Sequence, residues 1–344
     1  MKILIRADAS SAIGTGHVYR CSSLAEELVR AGHQVTFVCR AQPGHLVDLL
    51  RSRGHDVHAL RPTDDGRATG DRDAMETAAV ASGPFDWCIV DHYGLDASFE
   101  RAIRIVARHV LVIDDLADRP HDCDVLVDAS HGAEDASVYD GLVPARTRRL
   151  VGQDYVLLRA AFRAMAPAPA LDDVRRLLVS FGGNDPPGMT LRAVGVLKDP
   201  VFASLHIDVT SSIANPRLET LRQAMHGHDR FHFHVDTPDF HRLLRDCDLC
   251  LGAGGTTTWE RFYLGKPSLV ITLADNQFAF SDRLARAQLI RLVGYAPELD
   301  DEDLARALIE TIADREWRRS AALSGMALID GGGVSRVASA LELH

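Results

Sequence analysis

A histidine that follows two glycines is the residue of this chain best suited to catalysis. The apolar run Lys2–Arg6 leads into a loop that contains Gly14, Gly16 and His17, and a helical pattern begins directly afterwards. Because glycine carries no side chain, a ligand can come close to this backbone. The positive end of the helix dipole disfavours an imidazolium, so we expect His17 to be neutral near pH 7 and able to take a proton from water. The alternative is that His17 only caps or packs the helix start.

A second loop of small residues follows the apolar run Asp248–Leu251. Backbone amides at the start of a helix bind phosphate groups when no side chain blocks their approach. We expect a diphosphate to bind the amides of Gly254, Gly255, Thr256 and Thr257. Glu260, one turn into the helix, is placed to accept hydrogen bonds from ribose hydroxyls, and the alternative is a solvated carboxylate.

Apolar runs alternate with amphipathic segments along the chain, which predicts mostly parallel sheets. The predicted strands are Lys2–Arg6, Val35–Cys39, Asp86–Val90, Val110–Ile113, Val125–Val127, Arg176–Phe181, His206–Thr210, Phe231–Val235, Asp248–Leu251 and Ser268–Thr272. A Pro- and Ala-rich stretch at 166–173 separates the two sets of strands and predicts a linker. We therefore expect an α/β protein with two Rossmann-like domains facing a cleft, at 1–165 and 174–344, the last helix being able to pack back on the N-terminal domain.

Composition and motifs exclude several classes of protein. With 344 residues, 46% of them hydrophobic, and a net charge of −10 without a dense basic run, the chain is globular and not suited to bind nucleic acid or a membrane surface. No apolar stretch is long enough to span a membrane, and the six scattered cysteines do not resemble a disulfide framework, so we expect a cytoplasmic protein. A dinucleotide site is disfavoured because Tyr19 stands where the third glycine is required.

Five stretches, in colinear order, resemble the UDP-sugar hydrolases of the pseudaminic-acid pathway. They are Asp8-x-Ser10-x-x-Ile13-Gly14-x-Gly16-His17 with Arg20-Cys21-x-x-Leu24-Ala25; Asp91-His92-Tyr93-Gly94-Leu95; Ile113-Asp114-Asp115-Leu116-Ala117-x-Arg119; Phe181-Gly182-Gly183-Asn184-Asp185; and Gly254-Gly255-Thr256-Thr257-Thr258-Trp259-Glu260 with Asn276-Gln277. The resemblance covers nearly the whole chain. It departs at Tyr19, where a methionine is usual, at Asp128-Ala129-Ser130 and at Gly152-Gln153.

The resemblance implies a glycosyltransferase-B fold and hydrolysis of UDP-2,4-diacetamido-2,4,6-trideoxy-β-L-altropyranose to UDP and the free sugar. His17 then acts on the water that attacks the anomeric carbon, without metal or cofactor. Further substrate contacts are assigned to Asp8, and to Tyr93, Asn184, Asn276 and Gln277 as candidates for holding the sugar and its acetamido groups. The expected partner is this small molecule alone.

Two alternative functions and three other groups of candidate metal ligands remain to be considered. The alternatives are a glycosyltransferase of the same fold using a UDP-N-acetylhexosamine donor and a non-catalytic protein that binds a nucleotide sugar. Cys247 and Cys250 fit a CxxC pair, but no second pair completes a zinc site. His232 and His234 would share one strand face, where we interpret them as polar-face residues. Asp114 is interpreted as a strand-end carboxylate rather than a magnesium ligand.

Overall fold

The chain forms two compact α/β units, each built on one parallel sheet. The computed structural model describes residues 1–63, 70–169 and 173–343. The first unit comprises Met1–Ala160 and Gly331–His344, and the second comprises Ala161–Asp330. The division at 160/161 lies a few residues before the linker predicted at 166–173, of which residues 170–172 lie outside the described part of the chain.

The sheet of the first unit has the strand order of a Rossmann fold. Its strands pair in the order β3-β2-β1-β4-β5-β6-β7, and every pair is parallel. The strands are β1 (Lys2–Ala7), β2 (Gln34–Arg40), β3 (Asp56–Leu60), β4 (Phe85–Asp91), β5 (Ala107–Ile113), β6 (Val125–Asp128) and β7 (Arg148–Val151). The first helices are α1 (Gly16–Arg30), α2 (Val47–Ser52), α3 (Gly70–Val80), α4 (Ala97–Ile103) and α5 (Ala160–Arg163), with 3₁₀ turns at Ala133–Tyr139 and Gln153–Tyr155.

The second unit repeats this topology with one strand fewer. Its parallel sheet has the order β10-β9-β8-β11-β12-β13. The strands are β8 (Arg176–Ser180), β9 (His206–Ser211), β10 (Phe231–Val235), β11 (Leu249–Ala253), β12 (Ser268–Thr272) and β13 (Arg291–Tyr295). The helices are α6 (Met189–Leu197), α7 (Leu218–Met225), α8 (Phe240–Asp246), α9 (Thr257–Tyr263), α10 (Phe278–Arg286), α11 (Asp301–Ala313) and α12 (Arg315–Leu328), with 3₁₀ turns at Pro200–Phe202 and Asp275–Gln277.

All ten predicted strands are confirmed, and the three that the sequence did not predict lie at sheet edges. β3, β7 and β13 are end strands of the two sheets, and the fourth end strand, β10, was predicted. An edge strand has only one neighbouring strand, so its sequence need not be continuously apolar as that of a central parallel strand is. β7, for instance, begins with Arg148 and Arg149, and only Leu150 and Val151 are buried.

Helices cover both faces of the first sheet. Along β1, Ile3 and Ile5 belong to one apolar cluster and Leu4 to the other, as the alternation of side chains along a strand requires. The final helix, α13 (Gly333–Glu342), packs beside α1 and contributes Val334, Val337 and Leu341 to the first cluster. No helix in the described ranges is both long and apolar enough to cross a membrane.

Candidate active site

The candidate residues of the first unit lie where the strand order of its sheet reverses. β1 and β4 are neighbours at this switch point, and the loops that leave their carboxyl ends diverge to opposite sides. In open parallel sheets, ligands bind in the crevice that such diverging loops create. The loop after β1 carries Gly14, Gly16 and His17, and the segment after β4 carries Tyr93.

The loop after β1 is a tight turn that leads directly into helix α1. Ser10 and Gly14 exchange two backbone hydrogen bonds of 3.1 and 2.9 Å, and Gly14 has a φ of +80°, a conformation that glycine adopts without strain. α1 begins at Gly16, so His17 lies in its first turn as predicted. The ring of His17 is buried, with 4% of its surface exposed.

His17 forms a dyad with Asp91, the last residue of β4. His17 Nδ1 lies 2.6 Å from Asp91 Oδ1, and because a carboxylate can only accept, the proton of this contact is on Nδ1. Both contacts of the ring nitrogens are at Nδ1, and no hydrogen bond within the described ranges involves Nε2, which leaves Nε2 as the acceptor. A carboxylate that fixes the tautomer of a histidine in this way is a recurring arrangement in hydrolases.

Arg20 holds Asp91 in place and keeps it ionised. Its Nε and Nη2 donate to the two oxygens of Asp91, each at 2.6 Å. Burial alone would raise the pKa of Asp91, but the charge of Arg20 and the contacts with Arg20 and His17 hold it well below its usual range. Asp91 is therefore a fully buried anion at neutral pH, aimed at the imidazole of His17.

Tyr93 packs against the ring of His17. The two rings meet edge to face with centroids 4.4 Å apart, and the Tyr93 hydroxyl lies 3.4 Å from Asp115 Oδ2. Burial, together with the charge of Asp115, raises the pKa of Tyr93, so the phenol stays protonated and can donate a hydrogen bond. The structure thus brings together two predicted site residues, His17 and Tyr93.

Asp8, predicted as a substrate contact, is engaged by protein donors. Its carboxylate accepts hydrogen bonds from the Arg6 guanidinium at 2.5 and 2.9 Å and from the Arg40 backbone N–H at 2.6 Å. His92 Nε2 lies 3.3 Å away. Asp8 is 3% exposed, and Asp73 binds Arg6 from the other side. These contacts place Asp8 in a buried ion network next to the loop, and a contact with substrate stays a prediction.

Four neighbouring strands of this sheet end at carboxylates. The residues are Asp8 after β1, Asp91 at the end of β4, Asp114 and Asp115 after β5, and Asp128 at the end of β6. Arg20 Nη1 donates to Asp115 at 2.7 Å, and Arg119 Nη1 lies 2.8 Å from Asp114. Asp114 also accepts from Tyr139 and from two backbone amides, so its carboxylate supports the loop after β5.

Asp91 and Arg20 belong to the candidate site by their contacts with His17, but neither was assigned to it from the sequence, although both lie in motifs that were singled out. Asp91 is 74 positions from His17 in the chain, and Arg20 is one turn away on the same helix. A signal was present in the sequence. β1 and β4 are neighbours in a Rossmann sheet, so a carboxylate at the end of the fourth strand must lie beside the loop that follows the first.

The candidate residues of the second unit lie at the matching switch point, between β8 and β11. Asn184 follows β8, and the loop Gly254–Thr257 follows β11. Asn184 is half-buried, and Gly255 and Thr257 are half-buried around the exposed Thr256. The neighbouring strand β12 is followed by the exposed Asn276 and by Gln277, whose side-chain oxygen accepts a hydrogen bond from Leu273 N at 3.0 Å.

The second glycine loop packs its backbone tightly. A Cβ on Gly254 would lie 2.2 Å from Ser281 Oγ, whereas a Cβ on Gly255 would meet nothing within 4 Å. α9 begins at Thr257 with Thr256 at its N-cap, and the Thr256 side chain makes no capping hydrogen bond. Glu260 is buried, which excludes the alternative of a solvated carboxylate.

No family model matches the chain, but curated relatives do. It is 25% identical to UDP-2,4-diacetamido-2,4,6-trideoxy-β-L-altropyranose hydrolase of Campylobacter jejuni over 286 residues, which cover 83% of this chain and 97% of that protein. It is 24% identical to the spore coat polysaccharide biosynthesis protein SpsG of Bacillus subtilis, over 99% of this chain and 98% of that protein. The predicted resemblance is confirmed.

Solved structures confirm the fold class. The glycotransferase of kitacinnamycin aligns over 99% of this chain and 98% of its own, with a TM-score of 0.67 and 14% sequence identity. At this identity the likeness concerns the fold alone. The two parallel-sheet α/β units are those of a glycosyltransferase-B fold.

The cysteines and histidines that were considered as metal ligands contact other protein groups. Cys247 and Cys250 are buried, with their sulfur atoms 3.4 Å apart. The rings of His206 and His232 stack with centroids 4.0 Å apart, and His234 Nε2 lies 2.8 Å from Asp208. In the described ranges, no three His, Cys, Asp or Glu residues are grouped as metal ligands would be.

Proposed function

We propose that this chain hydrolyses a UDP-sugar, with His17 as the general base. The proposed substrate is UDP-2,4-diacetamido-2,4,6-trideoxy-β-L-altropyranose or a close isomer, the compound in the name of the Campylobacter jejuni relative. The proposed setting is the biosynthesis of pseudaminic acid and related nonulosonic acids. The observation that carries the proposal is the 2.6 Å contact between His17 and Asp91 at the switch point of the first sheet.

The dyad has the properties that a general base requires. Asp91 accepts the Nδ1 proton of His17, so Nε2 presents a lone pair to a water molecule. As that water loses its proton, the ring becomes an imidazolium, and the buried charge of Asp91 stabilises it. Tyr93, whose ring contacts His17, is the candidate of the first unit for contact with the sugar.

The proposed step is a single displacement at the anomeric carbon. The water oxygen bonds to that carbon while its proton passes to His17 Nε2, and the bond from the carbon to the diphosphate oxygen breaks. UDP leaves with the electron pair, which requires little help from an acid because a diphosphate is a weak base. We assign the developing charge to the amides of Gly254, Gly255, Thr256 and Thr257. Glu260 is assigned to the ribose, and Asn184, Asn276 and Gln277 to the sugar.

A panel of UDP-sugars tests the proposal. The purified chain is incubated with each sugar in the presence of a chelator and without an acceptor, and UDP release is measured. We expect release from a diacetamido-trideoxy sugar, a fall of at least about 100-fold in His17→Asn, and no change in the control His58→Asn. His58 lies on the edge strand β3 with 37% of its side chain exposed.

The site of bond cleavage and the stereochemistry are read from the products. In ¹⁸O-water, cleavage at carbon places the label in the sugar, and the first-formed anomer has the inverted configuration. Label in UDP would mean attack at phosphorus and would overturn the mechanism. Release of UDP only after an acceptor sugar or lipid is added would establish the glycosyltransferase alternative. UDP binding without turnover of any sugar would establish the binding-protein alternative.

A further inference from the structure

Arg20 is the cation that joins Asp91, the partner of His17, to a second carboxylate, Asp115. It lies three positions after His17 on α1, with 11% of its side chain exposed. Two of its nitrogens hold both oxygens of Asp91 at 2.6 Å, and its third, Nη1, donates to Asp115 at 2.7 Å. Each of the three guanidinium nitrogens therefore donates to a carboxylate oxygen.

We propose that Arg20 is a positioning residue for His17. It fixes the carboxylate to which the imidazole donates its Nδ1 proton, and it holds a positive charge 3.3 Å from that ring nitrogen. This assignment rests on the proposed function, because it is the hydrolysis that requires a neutral His17. Arg20 itself contacts neither the water nor the sugar in this proposal.

Two nitrogen atoms that both act as donors, one of Arg20 and one of His17, lie close together beside Asp91. Arg20 Nη2 lies 3.3 Å from His17 Nδ1. Since Nδ1 already gives its proton to Asp91, this contact is not a hydrogen bond but the approach of a positive charge to the ring. The charge disfavours an imidazolium, whereas Asp91 favours one. The two effects oppose each other within 3.3 Å of the same nitrogen.

The other groups around His17 are neutral or lie further along the same network. Burial lowers the pKa of His92 and raises the pKa values of Cys21 and Tyr93, so all three are uncharged at neutral pH. Beyond His92 lies the buried pair of Asp8 with Arg6. Within the described ranges, the charged groups that face the dyad are therefore Arg20, Asp91 and Asp115.

Substitution of Asp115 gives a second test, because it should shift the titration midpoint of His17 in the direction opposite to substitution of Arg20. It shares Arg20 with Asp91 through the 2.7 Å contact with Nη1. Removing the charge of Arg20 leaves the dyad more negative, so His17 should bind its second proton at higher pH. Removing the charge of Asp115 leaves the dyad more positive, so His17 should bind that proton at lower pH. A purely structural role of Arg20 would not produce opposite shifts.

The measurement is an NMR titration of the His17 imidazole in the full chain. The chain contains 16 histidines, and the signal of His17 is assigned as the one absent from His17→Asn. We expect the titration midpoint to rise by about one pH unit in Arg20→Gln and to fall by a few tenths or more in Asp115→Asn. Arg20→Lys keeps the charge and should keep the midpoint.

The control is Arg104→Gln. Arg104 donates to Asp124 at 3.0 Å, and Asp124 directly precedes β6, at the amino end of the same sheet. This variant removes the same charge far from the dyad and should leave the His17 midpoint unchanged. An unchanged or lower midpoint in Arg20→Gln would overturn the proposal. If Arg20→Gln does not fold, the proposal depends on Asp115→Asn and fails if its midpoint does not fall.

Kinetics separate this proposal from the proposed function. With an active substrate, the acidic limb of the kcat/KM profile should move to higher pH in Arg20→Gln, and Arg20→Lys should lower kcat more than it raises KM. If the wild-type chain releases UDP from no sugar, the hydrolase proposal fails while the titration still tests the effect of Arg20 on His17. If the chain is an active hydrolase and the titration shows no shift, the role of Arg20 alone is wrong.

Discussion

At the scale of single residues, the candidate site shows why one histidine needs several partners. A lone imidazole can use either ring nitrogen, and only the partner of one nitrogen decides which of them accepts a proton. Asp91 makes that choice for His17, and Arg20 makes Asp91 an anion despite its complete burial. The motif around His17 is local in the sequence, but its effect depends on a carboxylate from another strand.

Asp91→Asn tests this dependence. The amide keeps the size of the side chain but removes the charge that stabilises the imidazolium, and its NH₂ group faces a donor of Arg20. We expect kcat for UDP release to fall about 10²- to 10⁴-fold with a smaller change in KM. The control is Asp86→Asn, at the exposed amino end of the same strand, where Asp86 accepts from Lys2 N at 2.7 Å. A kcat within threefold of the wild type would refute the role of Asp91.

At the scale of elements, the sequence predicted every central strand of the two described sheets but only one of their four end strands, β10. The strands that position His17, Asp91, Asn184 and the second glycine loop are central, and their continuous apolar runs are the signal of a parallel sheet. The partner of each loop was harder to predict, since it depends on strand order. The packing of α13 beside α1, about 300 residues away in the chain, is the one such long-range contact that the sequence analysis allowed for.

The second glycine loop offers a matched pair of substitutions. In Gly255→Ala the added methyl meets no protein atom within 4 Å, so we expect an unchanged Tm but weaker UDP binding if the loop binds the diphosphate. In Gly254→Ala the methyl would come 2.2 Å from Ser281 Oγ, so this variant should lower Tm as well. Calorimetry with UDP and thermal unfolding measure the two effects. Unaltered UDP affinity in Gly255→Ala would contradict the proposed diphosphate site.

At the scale of the whole molecule, buried carboxylates are more numerous in the first unit than in the second, although the two units have similar topology. The net charge of −10 includes a set of buried carboxylates, and those of the first unit are concentrated where its strands end. Most are held by an arginine from the same unit, as Arg6 holds Asp8 and Asp73, whereas Asp128 and Glu100 are bound by His131 and His121. Such pairs are stable only while the carboxylates remain ionised, which links the stability of the first unit to pH.

Acid should therefore unfold the first unit before the second. Burial alone would raise the pKa values of Asp8, Asp73 and Asp91, but their arginine partners hold all three below the value near 4 of an unfolded chain. The stabilisation from these pairs is thus complete above about pH 5 and is lost as the pH falls towards the pKa values of the folded state. Burial raises the pKa of Asp115, so protonation of this group makes the folded first unit more stable as the pH falls. It is one group against three.

Trp87 reports on the first unit, because the other two tryptophans, Trp259 and Trp317, lie in the second. In a chain carrying Trp259→Phe and Trp317→Phe, urea unfolding followed by Trp87 fluorescence should show the free energy of unfolding falling by more than about 2 kcal/mol between pH 7 and pH 3. A Trp87→Phe chain reports on the second unit, where Asp208 is the buried carboxylate with a lowered pKa and the loss should be smaller. Protonation of histidines whose pKa is lowered by burial also destabilises both units, through His55 and His92 in the first and His206 in the second. An equal or larger loss in the second unit would show that the ion pairs at the strand ends do not govern the acid stability of the first.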